Sequence, residues 1–256
     1  MRPWLAKLGQ PTLQRLNALA EEAGLRTESG RPVRFVPPRP GTAYYEVEAF
    51  DSGRVPTRAD SRHDLFNALA WLAFPRTKAR INALHAEEIP REDGRRGRKR
   101  DLLTLLDEGG VIVACSDPAL LEMIRGFRWK ELFWDNRGRV LRSLRFAVLG
   151  HGVLEKALQP WPGVTCKALP VEGGTDSDAA AAALLAALPP NATPHDLPVV
   201  PVFGYPGWLP GSDAPEFYED MRYFRPSGRK MAAGVGQAAA VQHTEESPGS
   251  AERDAG

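Results

Sequence analysis

Apolar residues between positions 61 and 88 recur at helical spacing twice, with a proline between the two runs. Laid out at roughly 100° per residue, Leu65, Phe66, Ala68, Leu69, Leu72 and Ala73 share one side of the first run. His63, Asp64, Asn67 and Trp71 fall on the other. Ser61 stands where an N-cap belongs, with Asp64 three residues on as a short capping-box partner. Pro75 has no N–H to donate and disfavours helix at Phe74, so the first helix breaks there. A second helix over residues 76–88 puts Thr77, Ile81 and Leu84 on one stripe and Lys78, Asn82 and His85 on the next. The pattern predicts a helical hairpin whose apolar faces meet a core and whose polar stripes adjoin.

The flanking segments read less uniformly. Residues 11–23 carry Leu13, Leu16, Leu19 and Ala20 at helical spacing, with Pro11 near the start and Gly24 past the end. Residues 43–50 alternate and predict a strand closed by the turn signal Asp51-Ser52-Gly53. Residues 91–100 predict a charged loop. LLTLLD, Glu-Gly-Gly and VIVAC then predict a β-hairpin. Ser116 or Asp117 caps a helix opened by Pro118. Residues 142–150 predict a buried strand running into a helix at His151, VTCKAL another strand, and residues 176–188 an alanine-rich helix. PVVPVFGYPGWLPG is too rich in proline and glycine for a central strand. The class expected is α+β: a central helical hairpin packed with short antiparallel strands and β-hairpins, in one domain over residues 1–226. Residues 227–256 lack an apolar face and are expected to be disordered.

Charge and cysteine usage remove several functions. With 33 basic and 32 acidic residues, no global field steers the chain to nucleic acid or anionic lipid. Cys115 and Cys166 form no CxxC, which argues against a disulfide framework or a cysteine-rich zinc site. The N-terminus has no signal-peptide core, and the longest apolar run, ten residues at 179–188, is too short to span a bilayer. A cytoplasmic location without a membrane partner is expected. The phosphate-loop, dinucleotide and nucleophile-elbow signatures are missing.

Three constellations can carry chemistry. Arg58, His63, Asp64 and Asn67 cluster at one helix start, where the dipole favours a neutral imidazole fit to act as base or metal ligand. The plainer reading is capping by His63 and Asp64, with Arg58 on a carboxylate. Lys78, Asn82 and His85 can hold a phosphate or carboxylate, or form a solvated face. His151, between Gly150 and Gly152 at a strand-to-helix junction, shares a face with Glu155, and the two can supply metal ligands or merely cap and solvate. Asp107 is a further carboxylate, explained as readily by turn chemistry. Arg95, Arg96, Arg98, Lys99 and Arg100 form a basic loop that is more readily a solvated run than a nucleic-acid contact.

The segments VPTRADSRHDLFNALAWLAFPRTKARINALH, LTLLDEGGVIVA, WKELFW, FAVLGHGVLEKALQPWPG, FGYPGW and FYEDMRYFRP together resemble a bacterial family, domain of unknown function 3025, over roughly residues 43–226. Ser61-Arg62 departs from that pattern, which has an aromatic residue just before the histidine. The resemblance implies no mechanism and lends no residue a role. The residues themselves favour an enzyme, metal-assisted, with His63, His85 and His151 as the catalytic set. Arg58, Asp64, Asn67, Lys78, Asn82 and Glu155 would line a pocket for a small anionic substrate. Neither the cofactor nor the identity of any metal follows from the sequence. The alternative is a non-catalytic module binding nucleic acid, a small anion or a protein.

Overall fold

The N-terminal third folds around one small cluster of its own. A computed structural model describes residues 2–41, 44–92, 95–173 and 176–226. Helices α1 (Arg2–Leu8) and α2 (Leu13–Glu22) lead in, and Thr12 caps α2 by accepting a hydrogen bond from Arg15 N at 3.2 Å. As the spacing requires, α2 buries Leu16, Leu19 and Ala20. Strands β1 (Arg34–Val36) and β2 (Arg54–Pro56) pair in parallel, and the segment between them holds α3 (Tyr45–Ser52). The strand expected over residues 43–50 is thus a helix from Tyr45 on. Two parallel strands need a crossover, and a helix supplies it. Asp51-Ser52-Gly53 marks the helix end instead of a hairpin turn: Gly53 sits at φ 75° and its N–H returns to Ala49 O.

The central hairpin forms as the pattern predicts. Helix α4 (Arg62–Ala73) starts at Ser61, whose side chain accepts from Asp64 N at 3.1 Å. Helix α5 (Pro75–Glu88) has its proline at the first position, after Phe74 leaves helical geometry at φ −133° and ψ 58°. Burial extends further round both helices than the stripes suggest. Trp71, on the polar side of α4, is buried, and α5 buries Lys78, Asn82 and His85 together with Thr77, Ile81 and Leu84.

The expected hairpin at residues 102–115 is instead a helix joined directly to a strand. Helix α6 (Arg98–Gly109) buries Leu102, Leu103 and Leu106 and leaves Leu105 exposed. That is a helical face, not an alternating one. Strand β3 (Gly110–Cys115) follows without a loop. The charged segment before it is correspondingly shorter than expected, since α6 opens at Arg98.

Next come α7 (Pro118–Arg125), capped by Asp117, a π-helical turn (Glu131–Asp135) and α8 (Arg137–Ser143). Strand β4 (Leu144–Val148), α9 (His151–Lys156), β5 (Thr165–Glu172), α10 (Ser177–Ala186) and β6 (Val199–Pro201) complete the regular elements. The sheet order is β4-β3-β5-β6, with β3 and β5 parallel at the centre and both edge strands antiparallel. Side chains alternate across it. Val111, Val113, Cys115, Cys166 and Ala168 face an aromatic layer built from Trp129, Phe133, Tyr205, Tyr218, Tyr223 and Phe224. Ile112, Leu169 and Val171 face α5, α6 and α10 through Ile81, Leu84, Leu106, Ala181 and Leu185. The architecture is α+β. Among the described residues no helix is long and apolar enough to cross a membrane. The tail expected at residues 227–256 lies outside the described residues.

Candidate metal centre

Two junctions meet at the edge of the helical layer. The first is the loopless turn from α6 into β3, at Glu108-Gly109-Gly110; the second is the turn from β4 into α9, at Leu149-Gly150-His151. They are tied together by one carbonyl: Gly110 O accepts from Leu149 N at 3.0 Å and from Gly150 N at 2.8 Å. So close an approach leaves no space for side chains. A Cβ on Gly150 would stand 2.5 Å from Gly110 N and 2.7 Å from Glu108 O. One on Gly152 would stand 2.9 Å from Glu108 Oε2. The glycines on either side of His151 are what allow its ring and the Glu108 carboxylate to share one spot.

The first turn of α4 brings His63 to the same spot. His63 Nε2 lies 3.0 Å from His151 Nε2 and 3.5 Å from Glu108 Oε1, and His151 Nε2 lies 3.3 Å from Glu108 Oε1. The imidazole rings meet edge to face at 71°. Ligand atoms about 2.1 Å from one ion, at angles of about 90° to 110°, stand roughly 3.0–3.4 Å apart. The triangle therefore has the dimensions of three ligands on one face of a metal.

The outer ring nitrogens agree with that reading. His63 Nδ1 stands 3.4 Å from Glu155 Oε2, and His151 Nδ1 stands 3.8 Å from Asp107 Oδ2. A carboxylate beyond each imidazole draws the ring proton to Nδ1 and turns the Nε2 lone pair inward. Three acceptors then converge on one point, and only a cation or a proton relieves their repulsion. The facing His151 imidazole holds the Glu108 carboxyl below its usual range, against the effect of its half-burial. His151 is almost enclosed, whereas His63 and Glu108 are 37% and 45% exposed, so the outer side of the triangle opens to solvent.

Behind the centre lies a small cavity lined by Tyr45, Glu46, Asn67, Trp71, Lys78, Asn82, His85 and Asp107. Its interior is polar and almost fully paired. Lys78 Nζ donates to Asp107 Oδ1 and, at 2.7 Å, to Asn67 Oδ1. Asn82 Nδ2 donates to Glu46 O at 2.8 Å, while Asn82 Oδ1 has no protein partner. Arg100 Nε donates to His85 Nδ1 at 3.4 Å. Complete burial works to raise the Asp107 carboxyl, yet Lys78 and then His151 hold it below the usual range.

The nine expected site residues therefore divide three ways. His63 and His151 meet, with Glu155 behind His63 rather than beside His151 as a second ligand. Asn67, Lys78, Asn82 and His85 line the small cavity, where Lys78 is already neutralised by Asp107. Arg58 and Asp64 form neither site. Arg58 donates from N, Nε and Nη2 to the Asp64 carboxylate at 2.7, 2.8 and 2.8 Å and fixes the entry to α4. Partial burial would raise Asp64, but Arg58 holds it below the usual range. The basic segment is largely consumed as well: Lys99 pairs with Glu88, Arg100 with Glu46 and Glu92, and Arg96 with Asp101. Glu108 is the corner of the triangle that sequence reasoning missed. A helical reading of residues 98–109 would have placed it beside Asp107 at a helix end, two carboxylates facing the Gly-His-Gly junction.

Comparison with curated proteins and with solved structures gives no match to this chain. A family model does match, over residues 33–228, which include all three corners of the triangle. The chain belongs to that family, described as a protein of unknown function (DUF3025).

Proposed function

We propose that the protein is a metal-dependent enzyme in which His63, Glu108 and His151 hold one divalent transition ion. The observation that carries this is the convergence of three ligand atoms within 3.0 to 3.5 Å while both outer imidazole nitrogens face carboxylates. Two imidazoles and one carboxylate suit zinc and its neighbours better than calcium or magnesium. Three protein ligands leave a coordination position for water or substrate, as in catalytic rather than structural zinc sites. Held by these three residues, such an ion would supply an acidified water and a Lewis acid for a substrate oxygen. Hydrolysis is the reaction that asks for nothing more. A small anionic substrate fits this site if its negative oxygen binds the ion itself, because Lys78 and Arg58 already have carboxylate partners.

The test is elemental analysis of the purified chain, followed by turnover of a panel of ester, amide and phosphate substrates. One equivalent of transition metal, lost in His63→Ala and Glu108→Gln, together with hydrolysis that chelator abolishes, is the expected result. Stoichiometric metal with no turnover across the panel would leave a binding module. No metal in protein prepared without chelator, and none taken up on titration, would remove the proposal altogether.

A further inference from the structure

We infer that Lys78 is a positioning residue of the metal centre, acting through Asp107 on His151. The inference rests on the metal-binding reading above and adds a residue from the opposite side of the cavity.

Lys78 is 3% exposed, in the first turn of α5, and its ammonium is held from three directions. It donates to Asp107 Oδ1 and to Asn67 Oδ1, and it lies over the Trp71 ring at 5.6 Å from the centroid. An ammonium carries three donors on a flexible stem, and here its surroundings fix the stem. The carboxylate it grips is fixed in turn. With Oδ1 engaged by Lys78, Asp107 presents Oδ2 to His151 Nδ1 at 3.8 Å. That nitrogen is buried and makes no hydrogen bond. A buried N–H without an acceptor is costly, and the carboxylate that can receive it is the one Lys78 holds. A shift of less than about 1 Å brings the pair to hydrogen-bond distance. An ion on Nε2 requires the ring proton on Nδ1, so ligand and ion favour the same small movement. Without Lys78, the Asp107 carboxylate loses its buried counter-charge and its orientation, and the His151 ring loses the partner that aims it.

The rival is a buried ion pair that merely stabilises the cavity. Two measurements on the full chain separate them: the His151 tautomer from long-range proton–nitrogen NMR of the metal-free protein, and zinc affinity by competition with a chromogenic chelator. The variants are Lys78→Met, Lys78→Arg, Asn67→Ala and Asp107→Asn. Thr77→Val serves as the control, since Thr77 is buried on the same helix but donates to Asp178. In the wild type His151 should carry its proton on Nδ1. Lys78→Met and Asp107→Asn should lose that preference and bind zinc about 10- to 100-fold more weakly, the range for partners lying behind a ligand. Lys78→Arg should recover part of both, and Thr77→Val should alter neither. Asn67→Ala, which removes one of the ammonium's acceptors and leaves Asp107 paired, should shift both in the same direction by less, and it replaces Lys78→Met if that variant does not fold. Wild-type tautomer and affinity in Lys78→Met, or in Asn67→Ala where it stands in, would overturn the inference. If the wild type binds no zinc, the metal reading fails, and the tautomer alone decides whether Lys78 positions His151.

Discussion

His85 shows how far a residue's surroundings can outweigh its type. Burial is the main force pushing its imidazole from the usual 6.5 down to about 4; Asp107 opposes the shift, while Arg100, Arg96 and Lys78 add to it. The hydrogen bond from Arg100 Nε also requires a free lone pair on Nδ1. His85 is therefore a neutral acceptor inside the protein, not an acid–base group beside the triangle. The sign of the pH effect follows. Between about 6.5 and about 4 the unfolded chain takes up a proton that the folded chain refuses. The stability present above that window is lost as pH falls through it, on the order of 3 kcal/mol for one group. Urea unfolding at pH 7.5 and 4.5 should show the loss. His85→Gln, which keeps an acceptor for Arg100, should remove most of it. An unchanged slope in His85→Gln would assign the acid sensitivity to carboxylates elsewhere.

At the scale of elements, the site exists because two junctions can touch, and the glycines there should differ in a predictable way. Gly150→Ala puts a methyl against backbone, 2.5 Å from Gly110 N, where nothing flexible can move aside. It should cost several kcal/mol, on the order of other overpacked or strained core sites. Gly152→Ala meets the Glu108 carboxylate at 2.9 Å as well as its backbone oxygen at 3.0 Å. It should cost less stability and lower metal affinity more, because the carboxylate can swing away. Thermal melts beside metal titrations read the two effects separately; equal melting losses would contradict the assignment. The same elements show what was legible in the sequence. Ser61, Pro75 and the spacing of Leu65, Leu69 and Leu72 spelled out α4 and α5, and Gly-His-Gly marked a tight approach before its partner was known. LLTLLDEGG spelled out nothing unique. A run of leucines satisfies both periods, and Gly-Gly ends a helix as readily as it turns a hairpin. Contact of α6 with β5 and α9 decides the matter, and that lies outside any local window. The cost of reading a strand there was Glu108, the third corner of the triangle. Tyr45–Ser52 is ambiguous for the same reason, with a helix stop that reads equally well as a turn.

At the scale of the whole molecule, the last described residues are tied to the aromatic layer, where Trp129 Nε1 donates to Arg225 O at 2.9 Å. Truncation after Pro226 should cost less than about 1 kcal/mol in urea unfolding, since the residues beyond it offer no apolar face to bury. The triangle has the opposite character, because its corners come from α4, α6 and α9, which are widely separated in sequence. An ion held there would bind the folded chain and find no such site in the unfolded one. Ligand linkage then gives about 2.7 kcal/mol at a free concentration one hundred times Kd, which for a chain of this size is a rise in Tm of about 5–10 °C. Zinc should therefore raise the melting temperature and chelator should return it to the metal-free value. Glu108→Gln isolates the cause. Glu108 is 45% exposed and its carboxylate caps no helix, so the metal-free melt should stay within about 2 °C of wild type, as for most surface substitutions. The zinc-dependent increment should vanish. A zinc increment that survived in Glu108→Gln would place the ion elsewhere on the molecule, and the convergence of His63, Glu108 and His151 would then be held together by a shared proton alone.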